Sequence, residues 1–173
     1  MTNWLKLAVL VVAAVVVTQL LVRGSHRSTV APAGSPAPAL VLPDLEGRSL
    51  DLGSLKGKVV AVNFWATWCP PCRRELPDLA AFYQAQRGRC FEMLGVAEES
   101  GRGDVAAAAR QIPYPVLLDE TARALEPWGV QGYPATFVVD AEGHVRHVFR
   151  GEIDGAELAD AVAPLLPKTC PRG

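Results

Sequence analysis

The chain has 173 residues, half of them hydrophobic, and 17 Lys and Arg against 18 Asp and Glu give a formal net charge of −1. That length buries one good core, so a single folded domain is the expectation. The near-zero charge supplies no electrostatic footprint for nucleic acid, which is excluded as a partner class.

The first element, "WLKLAVLVVAAVVVTQLLV" from Trp4 to Val22, is apolar apart from Lys6, Thr18 and Gln19. A bilayer span needs about 20 apolar residues, and a tryptophan and a snorkelling lysine at the edge suit the interface. Residues 1–22 are therefore read as a membrane anchor. A cleaved secretory signal is the alternative, since Ala31-Pro32-Ala33 has the small-x-small form, although it lies far beyond the apolar run and contains a proline. Lys6 stands on one flank and Arg23 and Arg27 on the other, so charge asymmetry does not decide orientation. Residues 23–39, rich in Pro, Ala, Ser and Gly, read as a solvated linker. The domain is expected over 40–173, and it holds all four cysteines, Cys69, Cys72, Cys90 and Cys170. An even number in an exported domain permits disulfides.

"LVLPDLEGRSLDL" is a peripheral hairpin turning at Glu46-Gly47. "KVVAVNF" is a continuous apolar run, the pattern of a strand covered on both faces, and it leads directly to Cys69. From Pro70 the apolar residues Leu76, Leu79, Ala80, Phe82 and Tyr83 recur at helical spacing until Gly88, with Pro77 expected to kink the helix. "CFEMLGVA" is a second strand, and Val105, Ala108, Ala109 and Ile112 mark a short helix. "YPVLLD" is a third strand and "TARALEPWG" a short helix or turn. "ATFVVD", "AEG" and "HVRHVF" form the sharpest hairpin signal in the chain. Leu158, Val162, Leu165 and Leu166 line a terminal helix capped by Asp154. Strands alternating with helices give an α/β domain with a mixed central sheet flanked by helices.

The spacing Cys69-Pro70-Pro71-Cys72, between a buried strand and a helix start, is a redox dithiol motif. A cysteine at a helix N-terminus faces unpaired amides and the positive dipole end, which favour thiolate, so Cys69 is the expected nucleophile. Cys72, about one turn later, is the expected resolving thiol. Pro70 and Pro71 lack the N–H groups that a first turn leaves unpaired and stiffen the loop. Trp68 offers an apolar surface to an incoming protein, whereas Trp65 is expected to pack against the sheet. Arg73 and Arg74 are read as a solvated face, with the thiolate or an acidic partner as the other possibility. Zinc needs four ligands, and there is no second C-x-x-C. Copper lacks a third ligand, because His144 and His147, three apart on a strand, face opposite ways. No metal and no cofactor beyond the redox-active disulfide is expected. Cys90 and Cys170 either form a second, structural bridge or stand as separate thiols.

"NFWATWCPPCRRELP" together with "GVQGYPATFVVDAEGHV" resembles the thioredoxin superfamily, and within it the membrane-anchored TlpA/ResA-like group related to the cytochrome c maturation thioredoxins (DsbE/CcmG). The resemblance spans roughly residues 40 to 166. It implies a thioredoxin-like fold with an N-terminal β-hairpin and a central insertion, dithiol–disulfide exchange with protein substrates, and a transmembrane electron donor of the CcdA/DsbD type. Matched to the family motif, Pro134 is the cis-proline beside the active cysteines, and the backbone of Tyr133 pairs with an extended substrate segment. Thioredoxins place a buried aspartate where this chain has Asn63. The resembling group instead supplies a glutamate from the end of the next strand, where "GVAEES" offers Glu98 and Glu99, with Glu99 the first choice for proton exchange with Cys72. The rival readings are a redox-inert binding module on the same fold and a peroxidase on a related one. The second lacks the usual threonine-cysteine spacing and arginine.

Overall fold

The computed structural model describes residues 4, 11–13 and 33–170. Most of the proposed anchor and linker therefore lies outside the described residues, and among those described no helix is long and apolar enough to cross a membrane. Strands β1 (Val41–Pro43) and β2 (Ser49–Asp51) pair antiparallel around a turn in which Gly47 takes φ +81°, a left-handed value that a side chain resists. A 3₁₀ turn (Leu52–Leu55) capped by Asp51 leads into β3 (Val59–Trp65). Helix α1 (Pro70–Gln86), β4 (Phe91–Glu98), α2 (Arg102–Ala109) and β5 (Val116–Asp119) follow. The chain then forms α3 (Leu125–Trp128), β6 (Ala135–Val139), β7 (Val145–Arg150) and α4 (Gly155–Val162).

The five-stranded sheet has the order β5-β4-β3-β6-β7. β3 pairs parallel with β4, and β4 with β5, whereas β6 lies antiparallel to β3 and β7 to β6. β3 is thus central and buried at every position, as its unbroken apolar run predicts. Alternation along the strands makes two cores. Val59, Ala61 and Trp65 pack with Met93, Leu118 and the inner residues of α1 and α4 on one face. Val60, Val62 and Phe64 pack with Leu94, Val96, Phe137 and Trp128 of α3 on the other. Between β4 and α3 the chain runs through α2 and the edge strand β5.

Three expectations need correction. The N-terminal hairpin is not peripheral: Leu40 and Leu42 are each 2% exposed and belong to the α3-side core, and Asp44 bridges to Leu117 on β5. Alternation explains this, since Val41 between them points outward and is 49% exposed. Pairing with the domain begins at Gly34, ahead of the boundary expected at Leu40, because 34–37 hydrogen-bond to the β6–β7 hairpin at Gly143 and Val145. The helical run expected through Ile112 stops at Ala109, and Ile112 is buried from the loop. α1 continues through Pro77 to Gln86. Asp154 caps α4 as predicted and forms a complete capping box with Glu157.

Cys90, just before β4, is bonded to Cys170 beyond α4, with Cα atoms 5.2 Å apart and a sequence separation of 80. The bridge ties the C-terminal tail to the end of the sheet opposite the cysteine motif. Replacing both residues by alanine should cost ~2–4 kcal/mol of stability through the freed unfolded chain, measured by urea unfolding, with Cys69–Cys72 still formed.

Candidate redox site

Cys69 is the N-cap of α1, and its Sγ accepts a hydrogen bond from the Cys72 backbone N–H at 3.3 Å. Pro70 and Pro71 occupy the first two helical positions and have no N–H, so the Cys72 amide is the first that the helix can offer, and it is aimed at the sulfur. The two cysteines are bonded to each other, with Cα atoms 5.3 Å apart. Cys69 keeps 4% exposure and Cys72 none, so an incoming sulfur meets Cys69 first. Once the bridge is reduced, the same amide and the helix dipole favour negative charge on Cys69.

Two neighbouring segments, the end of β4 and the cis-proline loop, are tied to this loop. Trp68, 58% exposed, donates its indole N–H to the Glu99 carbonyl at 3.0 Å and stands edge-on to Tyr133 with centroids 5.8 Å apart. The Tyr133 hydroxyl donates to Glu99 Oε2 at 3.3 Å, and the Tyr133–Pro134 peptide bond is cis. Thr67 donates its backbone N–H to Ser100 Oγ at 3.0 Å, and Ser100 donates to the Glu98 carbonyl at 2.8 Å. The end of β4 therefore fastens the cysteine loop to the cis-proline loop. Trp65 is fully buried, as expected. A groove of about 270 Å³ runs along Tyr133, Pro134 and Ala135, bounded by Val130 and Arg150.

Neither Glu98 nor Glu99, the carboxylates expected to assist Cys72, lies on the α1 side of the sheet as a buried group. Glu99 is exposed, takes φ +46° and uses its polar groups on Trp68 and Tyr133, so it organises the aromatic surface. Glu98 is fully buried, but strand alternation turns it to the α3 side of the sheet with Leu94 and Val96, away from α1. There it lies beside its register partner Asp119, and burial, followed by the like charge of Asp119, pushes its carboxyl up to about 8. The buried carboxyl on the α1 side is Glu75, 1% exposed and one turn beyond Cys72 on the same helix. Its Oε1 accepts from Asn63 Nδ2 at 2.9 Å and its Oε2 from the Ile153 N–H at 3.1 Å. Burial raises it to about 7, with these two donors working in the opposite direction. The spacing Cys72, Glu75, Leu76, Leu79, Phe82, Tyr83 could have identified it, because a glutamate interrupts an otherwise apolar helical stripe.

Arg74 bonds to Glu152 through Nε at 3.1 Å and is 61% exposed, so it serves an acidic neighbour within the chain. His144 lies 3.7 Å from Asp140, while His147 stacks over Phe149. Among the described residues no group of three or more His, Cys, Asp or Glu could hold a metal ion.

A sulfur at a helix cap, a second one turn on, and a cis-proline loop alongside define a thioredoxin-fold thiol–disulfide oxidoreductase, whose electrons travel on its own cysteine pair. A family model described as Redoxin matches residues 32–165, and the chain belongs to that family. It is 32% identical over 143 residues to the thiol-disulfide oxidoreductase ResA of Geobacillus thermodenitrificans, covering 82% of each chain. With the protein of the same name from Bacillus subtilis it shares 34% over 138 residues, covering 78% of this chain and 76% of that one. A thioredoxin-family thiol:disulfide interchange protein from Chlorobium tepidum superposes with a TM-score of 0.69 at 35% identity, covering 76% of this chain and 96% of its own. The thioredoxin domain of a thiol-disulfide oxidoreductase from Bacteroides vulgatus gives 0.70 at 31% identity, covering 79% and 99%.

Glu98 also leaves a mark on stability. Its folded pKa lies above the unfolded value, so its contribution is complete below about pH 4.5 and is lost as pH rises through about 8. Glu98→Gln, which mimics the neutral acid, should remove part of that alkaline loss. Urea unfolding at pH 8.5 should show the variant ahead of the parent by more than ~1.4 kcal/mol, with the two alike near pH 4.

Proposed function

We propose that this oxidoreductase works as a membrane-tethered reductant outside the cytoplasmic membrane. It takes electrons from a transmembrane donor of the CcdA/DsbD type and delivers them to cysteines of protein substrates, in cytochrome c maturation or a related assembly process. Similarity to proteins named ResA supports the reading, as does the apolar segment Trp4 to Val22. The observation that carries the chemistry is the Cys72 amide bonded to Cys69 Sγ.

In the reduced enzyme the Cys69 thiolate attacks one sulfur of a substrate disulfide. A mixed disulfide forms and the first substrate thiolate leaves. Cys72 gives its proton to the Glu75 carboxylate and, as thiolate, attacks Cys69 Sγ. The Cys69–Cys72 bond forms, the second substrate sulfur departs, and two electrons have passed to the substrate. A donor dithiol then reverses these steps and reloads the pair. Trp68 and Tyr133 supply the apolar surface for the substrate, and the groove along cis-Pro134 takes its extended backbone. Pro70 and Pro71 hold the loop while the sulfurs exchange. A carboxyl that titrates near neutrality can accept the Cys72 proton and release it again.

Cys72→Ser should accumulate a mixed disulfide between Cys69 and the physiological client, visible as a reductant-sensitive band that Cys69→Ser lacks. The reduction potential should lie near the thioredoxin value of about −270 mV; equilibration near the −120 mV of about the strongest oxidants would reverse the assigned direction. Glu75→Gln should abolish the step near pH 7 in the rate at which dithiothreitol reduces Cys69–Cys72, read against pH by stopped flow.

A further inference from the structure

Asn63 is the one polar residue in the strand "VVAVNFW", and it is fully buried. A buried amide on an apolar strand is costly unless its hydrogen bonds are made. Asn63 Nδ2 makes two: it donates to Glu75 Oε1 at 2.9 Å and to Thr136 Oγ1 at 2.9 Å. Thr136 is its register partner on β6, two residues after cis-Pro134. Asn63 Oδ1 has no partner among the described residues, so the amide is turned to present its donors and leaves its acceptor unused. The opposite orientation would set Oδ1 against an ionised Glu75.

We propose that Asn63 is a positioning residue for the thiol–disulfide exchange: its amide holds the Glu75 carboxyl in place for Cys72 and ties it, through Thr136, to the strand that carries cis-Pro134. The proposal rests on Glu75 being the proton partner of Cys72. An aspartate at this position would be a proton acceptor in its own right. Asparagine does not titrate, and it stabilises the charged form of a neighbour that does. Glu75 is faced by the Ile153 N–H from the segment before α4, by the Glu152 carboxylate, which opposes its ionisation, and by the buried Tyr114 phenol. Burial favours the neutral acid, and the Asn63 and Ile153 donors favour the anion. Their balance places the midpoint near 7, where the proton can move both ways. Without the Asn63 donor the acid form wins and the carboxyl cannot take the Cys72 proton at neutral pH.

The test is a ¹³C NMR titration of the glutamate carboxyls in the oxidised full-length chain in detergent, alongside the pH profile of Cys69–Cys72 reduction by dithiothreitol. The Glu75 signal is assigned by its loss in Glu75→Gln. Asn63→Leu, similar in size but without a donor, should raise the Glu75 midpoint by about 1–2 pH units and move the kinetic step with it. Adding Asn63→Leu to Glu75→Gln should leave the Glu75→Gln profile unchanged. A Glu75 midpoint and kinetic step that stay put in Asn63→Leu overturn the proposal alone. A kinetic step that survives in Glu75→Gln overturns the role of Glu75, and the proposal with it. Should Asn63→Leu fail to fold, Asn63→Asp decides. It keeps the shape and replaces the donor by a second acid, so the last proton should leave the pair at least one unit above the parent midpoint. An unchanged midpoint there overturns the proposal.

Discussion

One hydrogen bond organises the chemistry: the Cys72 backbone N–H to Cys69 Sγ. It exists because β3 ends where α1 begins, so that a cysteine falls on the cap and the two residues after it, both prolines, bring no competing donor. The rest of the fold keeps that junction in place. β3 is the central strand, covered on both faces, and the end of β4 clasps the loop through Ser100 and the Glu99 carbonyl. A helix cap on the surface would fray, whereas this one is rooted in the α1-side core through Cys69 and Cys72.

The two faces of the sheet divide the buried acids between different tasks. Glu75 lies on the α1 face, one turn beyond Cys72 and joined through Asn63 to Thr136. Glu98 and Asp119 lie together on the α3 face, and their mutual repulsion affects folding and its pH dependence. Both glutamates are pushed toward neutrality by burial. The parity of a strand and the face of a helix decide which one lies on the side of the sheet that carries α1.

The cysteine pair, the terminal hairpin and the central strand were legible because each rests on local chemistry: a C-x-x-C spacing at a strand–helix junction, a Gly turn between alternating runs, an unbroken apolar stretch. The cis-proline was legible only through family resemblance, since a single X-Pro dipeptide carries no local sign of its isomer. Glu75 was overlooked although it sits in the helical stripe, because a charged residue in "CRREL" reads as surface until the packing of α1 on β3 is known. The N-terminal hairpin was underrated for the same reason: three-residue strands give too short a pattern to reveal Leu40 and Leu42 beneath α3.

By itself, the sequence determined what can be written in neighbouring residues: a cysteine at a helix start, a second one turn on, the order of strands and helices, and the Asp154 cap. Tertiary structure alone decided which carboxyl shares a compartment with Cys72, that Asn63 reaches both Glu75 and Thr136, and that Cys90 meets Cys170 across 80 residues. The physical reason is range. Backbone preference and capping act over a few residues, whereas desolvation and buried hydrogen bonds depend on groups that only the folded sheet and its covering helices bring together.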